Sequence, residues 1–191
     1  REATNDEDQE EILEELTPEE ALDNAYQKIR GDLSSELIDY VLKISPSKFE
    51  ELVVKLLVAM GYGGTLKDAA KAIGKSGDEG IDGIIDEDRL GLDSIYLQAK
   101  RWQPVTKVGR PEIQAFVGAL HGKHAKKGVF ITTSGFTSDA IQYAEGIDIK
   151  VVLIDGNKMA DLMIDYGVGV ATNRMYEIKE LDTDYFGELS D

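Results

Sequence analysis

Between residues 94 and 100 the side chains alternate strictly. Ile95, Leu97 and Ala99 fall on one face of an extended chain, and Tyr96, Gln98 and Lys100 fall on the other. A period of two with one apolar face is the pattern of a half-buried strand. Gln98 and Lys100 then project the same way, roughly 6.8 Å apart along it. Residues 80–86 read as a second strand, in which Asp82 stands between Ile81 and the pair Ile84 and Ile85. A polar turn joins the two. A carboxylate and an ammonium aimed from adjacent strands into one cleft can hold a divalent cation and address an attacking water or an anionic oxygen.

The flanking sequence supplies helices. Residues 17–20, Thr-Pro-Glu-Glu, form a helix start with Thr17 as cap, Pro18 at the first position and Glu20 three after the cap. Ala21, Ala25 and Ile29, with Leu22 and Tyr26, are its expected buried stripe. A second helix over 33–43 carries Leu37, Val41 and Ile44, and the two are expected to pack beside the main unit or link it to a further domain. Ser45-Pro46 opens the most regular helix, in which Phe49, Leu52, Val53, Leu56, Leu57 and Met60 repeat at helical spacing before Gly61 stops it. Glu50 lies one residue off that stripe, where a solvent-facing Glu is the ordinary reading. Residues 63–79 fit a short helix or a strand, followed by a glycine-rich loop that delivers Asp78 and Asp82.

Downstream, a loop with Pro104 and Gly109 leads to a helix near Pro111 with Ile113, Phe116, Val117 and Leu120 as its stripe, and Gln114 off it, toward the cleft. The apolar run 128–132 is a strand of the kind buried on both faces of a sheet. Thr132, Thr133 and Ser134 then form a hydroxyl-rich loop before a helix capped by Thr137. Phosphate binding and plain turn chemistry both fit it. A strand at 151–154 and a helix at 156–166 complete a strand-helix-strand-helix unit. His121 and His124 read as surface residues. Trp102 is either a core aromatic or a base-stacking one. In the tail, Tyr185 and Phe186 are candidates to dock.

Charge limits the partners. The net charge is −16, yet residues 1–24 hold eleven acids and one base, and residues 177–191 hold six acids and one base. The middle of the chain is left at −1. Residues 98–127 carry seven bases, Lys100, Arg101, Lys107, Arg110, Lys123, Lys126 and Lys127, against one acid, Glu112. A basic zone in sequence thus follows the candidate site, which suits a phosphate-rich partner and equally an ordinary solvated face. There is no cysteine, so disulfides and thiolate metal sites are excluded and the cytoplasm is the expected compartment. No apolar run approaches the ~20 residues of a membrane span. The chain does not begin with Met and is expected to be part of a longer protein. Four segments are expected: an acidic arm over 1–16, a helical lead-in over 17–44, a catalytic domain over 45–176 and an acidic tail over 177–191.

Asp82 followed by Gln98-Ala99-Lys100, together with Phe49-Glu50, Gly-Asp-Glu-Gly-Ile-Asp-Gly at 77–83 and Gly-Val-Phe-Ile-Thr-Thr-Ser-Gly-Phe-Thr at 128–137, resembles the Mrr-type restriction endonucleases of the PD-(D/E)xK nuclease superfamily. The resemblance runs over about residues 20–187 and rests on four ordered segments. In place of the superfamily's second acid this chain has Gln98. The resemblance implies an α/β fold with a mixed central β-sheet flanked by helices. It further implies magnesium-dependent cleavage of double-stranded DNA, with restriction of modified or methylated DNA as the role. Asp82 would be the metal-binding carboxylate, with Gln98 and the backbone carbonyl of Ala99 as further oxygen ligands. Lys100 would act on the water and the transition-state charge, and Glu50 would stand beside the metal. Mn²⁺ would substitute for Mg²⁺. Arg101, Gln114, Thr132 and Ser134 are the candidate substrate contacts. A homo-oligomer, a dimer or larger, is expected for double-strand cleavage, and recognition would come from an N-terminal winged-helix domain outside this chain. A junction-resolving nuclease and a DNA-binding module without turnover remain the alternatives.

Overall fold

A computed structural model describes residues 16–63, 80–88 and 90–188. The acidic arm, the 64–79 segment with Asp78, and the last residues of the tail lie outside the described residues. Helices α1 (Pro18–Lys43) and α2 (Pro46–Ala59) come first. They are followed by β1 (Gly83–Asp86), β2 (Ser94–Lys100), α3 (Arg110–Gly122), β3 (Lys127–Thr132), α4 (Ser138–Glu145), β4 (Lys150–Ile154), α5 (Gly156–Asp165) and α6 (Thr183–Glu188).

The four strands form one mixed sheet in the order β1-β2-β3-β4. β1 runs antiparallel to β2, and β2, β3 and β4 run parallel. The alternation in β2 sorts the core into two layers. Ile95 and Leu97 join Ile85, Val129, Ile131 and Ile154 under α2, α5 and the second half of α1. Tyr96 turns to the other face, where α3 and α4 pack on Phe130 and Val151. Helices on both faces explain why β3 is buried along nearly its whole length. Phe130 is gripped edge-on by Phe116 at 5.6 Å and by Phe136 at 5.8 Å.

The caps form as their residues require. Thr17 and Glu20 exchange backbone-to-side-chain bonds of 2.8 and 3.3 Å. Ser45, Thr137 and Asp155 each accept from the amide three residues on. Gly61, with φ of 101°, ends the α2 segment.

Four expectations change. The two lead-in helices are one, because Gly31 costs only ~1 kcal/mol inside a helix and the long helix is anchored by its second half. Leu37 and Val41 are buried there, and Arg30 bridges Asp165 at 2.7 Å and Asp161 at 3.4 Å on α5. The expected stripe of the first half is not buried: Leu22, Tyr26 and Ile29 are 42, 55 and 67% exposed. The strand expected from residue 80 begins at Gly83, because Gly80 has φ of 89° and Ile81 turns into the α3 layer. Finally, Tyr185 and Phe186 are more than half exposed and meet each other edge-on at 5.3 Å.

α3 lies very close to β3. A Cβ placed on Gly128 would come within 2.8 Å of the Phe116 ring and of Leu120. Gly128→Val should therefore destabilise the fold by about 1–3 kcal/mol, the usual cost of overpacking. Urea denaturation followed by circular dichroism would measure it, with a lowered midpoint at unchanged slope as the expected result.

Candidate active site

In open α/β sheets ligands bind at the carboxyl ends of the strands. The loops after β2 and β3 meet at that end, where Val108 bridges Phe136. Asp82 stands immediately ahead of β1. Its N–H donates to the Leu97 carbonyl at 2.8 Å, and its Oδ2 accepts from the Ala99 N–H at 2.8 Å. The second bond fixes the carboxylate and leaves Oδ1 for another partner. It also orients the backbone. The N–H and C=O of a strand residue face the same edge, so the Ala99 carbonyl points to the Asp82 side, beyond the last ladder pair of Gly83 and Leu97.

Gln98 is 6% exposed. A Cβ on Gly80 would fall 2.9 Å from Gln98 Nε2, so only glycine lets the chain turn this close to the amide. With Nε2 against Gly80, Oε1 is the atom left to serve as a ligand. Gly80 is absent from the expected site residues. Its signal was a glycine two positions before the acid, which reads in sequence as loop composition only.

The end of β2 is clamped through main-chain carbonyls. That of Lys100 accepts from Thr132 Oγ1 at 2.8 Å, from the Trp102 N–H at 3.1 Å and from the Thr133 N–H at 3.3 Å. The carbonyl of Trp102 accepts from Thr133 Oγ1 at 2.6 Å. The bonds from Thr132 and Thr133 hold the two strands in register where the Lys100 side chain emerges.

Glu50 sits in the α2 segment beside the buried anchor Phe49 and is itself half-buried. Burial raises its carboxyl above the usual carboxylate range, the charge of Asp82 raises it further, and Lys100 pulls it back. Asp82, Gln98, Ala99, Lys100 and Glu50 are therefore brought together. Among the described residues no three His, Cys, Asp or Glu side chains gather in one place. The candidate donors among the described residues are two carboxylates, one amide oxygen and one main-chain carbonyl. All are hard oxygen donors, and the repulsion between Glu50 and Asp82 in a half-buried cleft is of the kind a shared cation relieves. The residues fit a hard divalent ion.

The candidate substrate contacts fare differently. Thr132 and Ser134 are 0 and 6% exposed, and their hydroxyls meet each other at 3.1 Å. Ser134 also returns its N–H to Thr132 Oγ1. These groups are spent on the turn, so the phosphate-binding reading of this loop gives way to a positioning one. Arg101 turns to the α1 side, where Nη1 donates to the Leu42 carbonyl at 2.6 Å and Nε is buried without a partner. It is a tether between β2 and the lead-in helix. Gln114 is exposed on α3, off the buried stripe. His121 and His124 are exposed, and Trp102 packs against the α3 layer.

Comparisons with known proteins identify the family and the fold. A family model described as restriction endonuclease, of the Mrr catalytic type, matches residues 41–163. The type IV methyl-directed restriction enzyme EcoKMrr of Escherichia coli strain K12 is 47% identical over 176 residues, 92% of this chain and 56% of that protein. The chain thus spans just over half the length of that relative. Among solved structures, the MspJI restriction endonuclease in complex with a 27-mer oligonucleotide aligns with a TM-score of 0.54 and 25% identity, over 70% of this chain and 31% of that one. The DNA modification-dependent restriction endonuclease AspBHI gives a TM-score of 0.54 at 21% identity over 72% and 36%, a likeness of fold. Restriction endonucleases generally use divalent metal ions, in keeping with the oxygen donors here. No helix among the described residues is long and apolar enough to cross a membrane. With its mixed sheet, its Asp82 and Gln98-Ala99-Lys100 arrangement and a family match over most of its length, the chain belongs to the Mrr catalytic family of restriction endonucleases.

Proposed function

We propose that this chain is the catalytic part of a cytoplasmic endonuclease that hydrolyses phosphodiester bonds in modified or methylated double-stranded DNA, with Mg²⁺ as cofactor and Mn²⁺ as a substitute. The observation that carries the reading is the Asp82 carboxylate pinned to the Ala99 amide, with Glu50, Gln98 and Lys100 around it. Recognition of the modified base is assigned to a domain outside this chain. Two copies acting together would cut both strands, since one site addresses one strand.

Each side chain has a distinct task. Asp82 Oδ1, the Glu50 carboxylate, Gln98 Oε1 and the Ala99 carbonyl would hold the cation. The chemistry it supplies when bound is polarisation of a phosphoryl oxygen and a lowered pKa for a coordinated water. Lys100 carries the positive charge that orients the attacking water and stabilises the charge that builds on the phosphoryl oxygens. Thr132 and Thr133 hold the main chain from which Lys100 projects. Gln98, being neutral, leaves the donor set with less charge than a second strand acid would. Affinity for the ion is therefore expected to rise when DNA phosphate joins it.

Two substitutions separate these roles. Asp82→Ala should abolish Mg²⁺-dependent plasmid cleavage by the full-length protein and weaken Mn²⁺ binding in calorimetry, because it removes the pinned carboxylate. Lys100→Ala should bind Mn²⁺ as well as the parent or better, while cleavage slows by at least ~10²-fold. Cleavage left intact in either variant would refute the assignment. Methylated linear duplex and a four-way junction, offered side by side, distinguish restriction from junction resolution.

Glu50 supplies a prediction with a definite sign. Its folded-state pKa is raised, so the native state holds the proton more tightly than the unfolded chain. Stability should then fall as pH rises from the ordinary Glu value of about 4.3 through the raised one. Glu50→Gln should show no such loss. In EDTA, thermal melts should give a Tm difference favouring Glu50→Gln that grows from pH 4 toward neutrality, and added Mg²⁺ should shrink it.

A further inference from the structure

The seven bases of residues 98–127 are contiguous in sequence but divided in space by α3. This helix of 13 residues is about 20 Å long, with Arg110 at its start and Lys123 just past its end. Its start is at the carboxyl end of β2 and its end leads into β3. The main chain at Lys100, Lys107 and Arg110 therefore lies at the candidate active-site end, and that at Lys123, Lys126 and Lys127 at the opposite end.

The two groups differ in their company. At the far end, Lys127 bridges Glu87 and Asp93, and Lys126 also acts on Asp93, so this charge is spent inside the fold. At the site end, Lys107 is exposed beside Val108, which is fully buried and bridged to Phe136. Arg110 is exposed, and its guanidinium lies 5.0 Å above the Tyr143 ring. This cation–π contact seats the guanidinium on the ring, and its N–H donors can form a fork on a phosphate. The nearest acid in sequence, Glu112, is committed to the Gly109 N–H at 3.1 Å. Asp139 lines the same shallow pocket as Arg110, but neither Arg110 nor Lys107 forms an ion pair with a carboxylate among the described residues.

We infer that Lys107 and Arg110, on the crest formed by the loop after β2 and the first turn of α3, are the surface on which the phosphate backbone of a DNA duplex docks beside the site. The inference rests on the nuclease reading and names the residues that hold its substrate. The crest contacts phosphate only, so it sets affinity and orientation and adds no preference for a base.

The test is fluorescence anisotropy with an unmodified 30-base-pair duplex and the whole 191-residue chain, in EDTA to prevent cleavage, over a range of KCl concentrations. Each lost phosphate contact removes about 0.9 from the slope of log affinity against log salt. K107A/R110A should therefore flatten the slope by about 1.8, K107R/R110K should keep it, and K126A/K150A should leave it unchanged. Circular dichroism checks that each variant is folded. An unaltered slope in K107A/R110A, or an equal loss in K126A/K150A, overturns the inference while leaving cleavage that depends on Asp82 untouched. Parent protein that binds no duplex at the lowest salt and cuts none when given Mg²⁺ overturns the nuclease reading as well.

Discussion

A single hydrogen bond decides the geometry of the candidate site: the Ala99 amide of β2 donates to Asp82 Oδ2, one residue beyond the point where the β1 and β2 ladder stops. Were β1 to continue regularly through Asp82 and Ile81, main-chain pairing would extend over this level and the Ala99 edge would be covered. The positive φ of Gly80 and the burial of Ile81 in the α3 layer end the strand early, and a carboxylate takes the place of a strand neighbour. The same bond aligns the Ala99 carbonyl with the acid, so that two oxygen donors are set by one interaction. A charge-assisted bond of this kind is worth more than a neutral one, and its donor is a main-chain amide already fixed in β2.

Around that bond, the polar groups of the strand ends are paired with one another. Thr132 is fully buried, and its hydroxyl would cost about 1–3 kcal/mol if left without a partner. The Lys100 carbonyl is that partner. This coupling makes the hydroxyl-rich loop a support for Lys100. The tether from Arg101 to the Leu42 carbonyl joins the same strand end to the lead-in helix. α1 is in this respect a part of the catalytic unit, fastened at its end by Arg101 and midway by the ion pairs of Arg30.

Electrostatics divides the molecule along its strand axis. Acids and bases at the amino ends of β3 and β4 neutralise each other, as in the Lys127, Glu87 and Asp93 group, which holds Lys127 well above the ordinary lysine range. At the carboxyl ends like charges are left facing each other, with Glu50 and Asp82 in mutual repulsion and Lys100 beside them. A chain with a large negative total can present a positive surface where it acts, because the excess acids sit in its terminal segments.

Much of this was legible in the order of residues. The alternation of Ile95, Leu97 and Ala99 with Gln98 and Lys100 determined which side chains share a face, since period two leaves no other assignment. The caps at Thr17, Ser45 and Thr137 determined where helices begin, because the side chain that satisfies the first amides is local. The spacing of Asp82, Gln98 and Lys100 pointed to one site, whereas Glu50 joined it through the family resemblance alone, its place one residue off the helical stripe reading as solvent-facing. The tertiary structure decided what depends on distant partners. Whether Leu22, Tyr26 and Ile29 are buried depends on the element packed on α1, and helical spacing cannot supply that element. Whether Thr132 and Ser134 reach outward or bond inward depends on the Lys100 carbonyl, 32 residues away in sequence for Thr132. The basic run of residues 98–127 became two opposite groups because a helix converts neighbours in sequence into points about 20 Å apart. Local chemistry is written in neighbouring residues, and the sharing of work between distant ones is set only when the chain closes on itself.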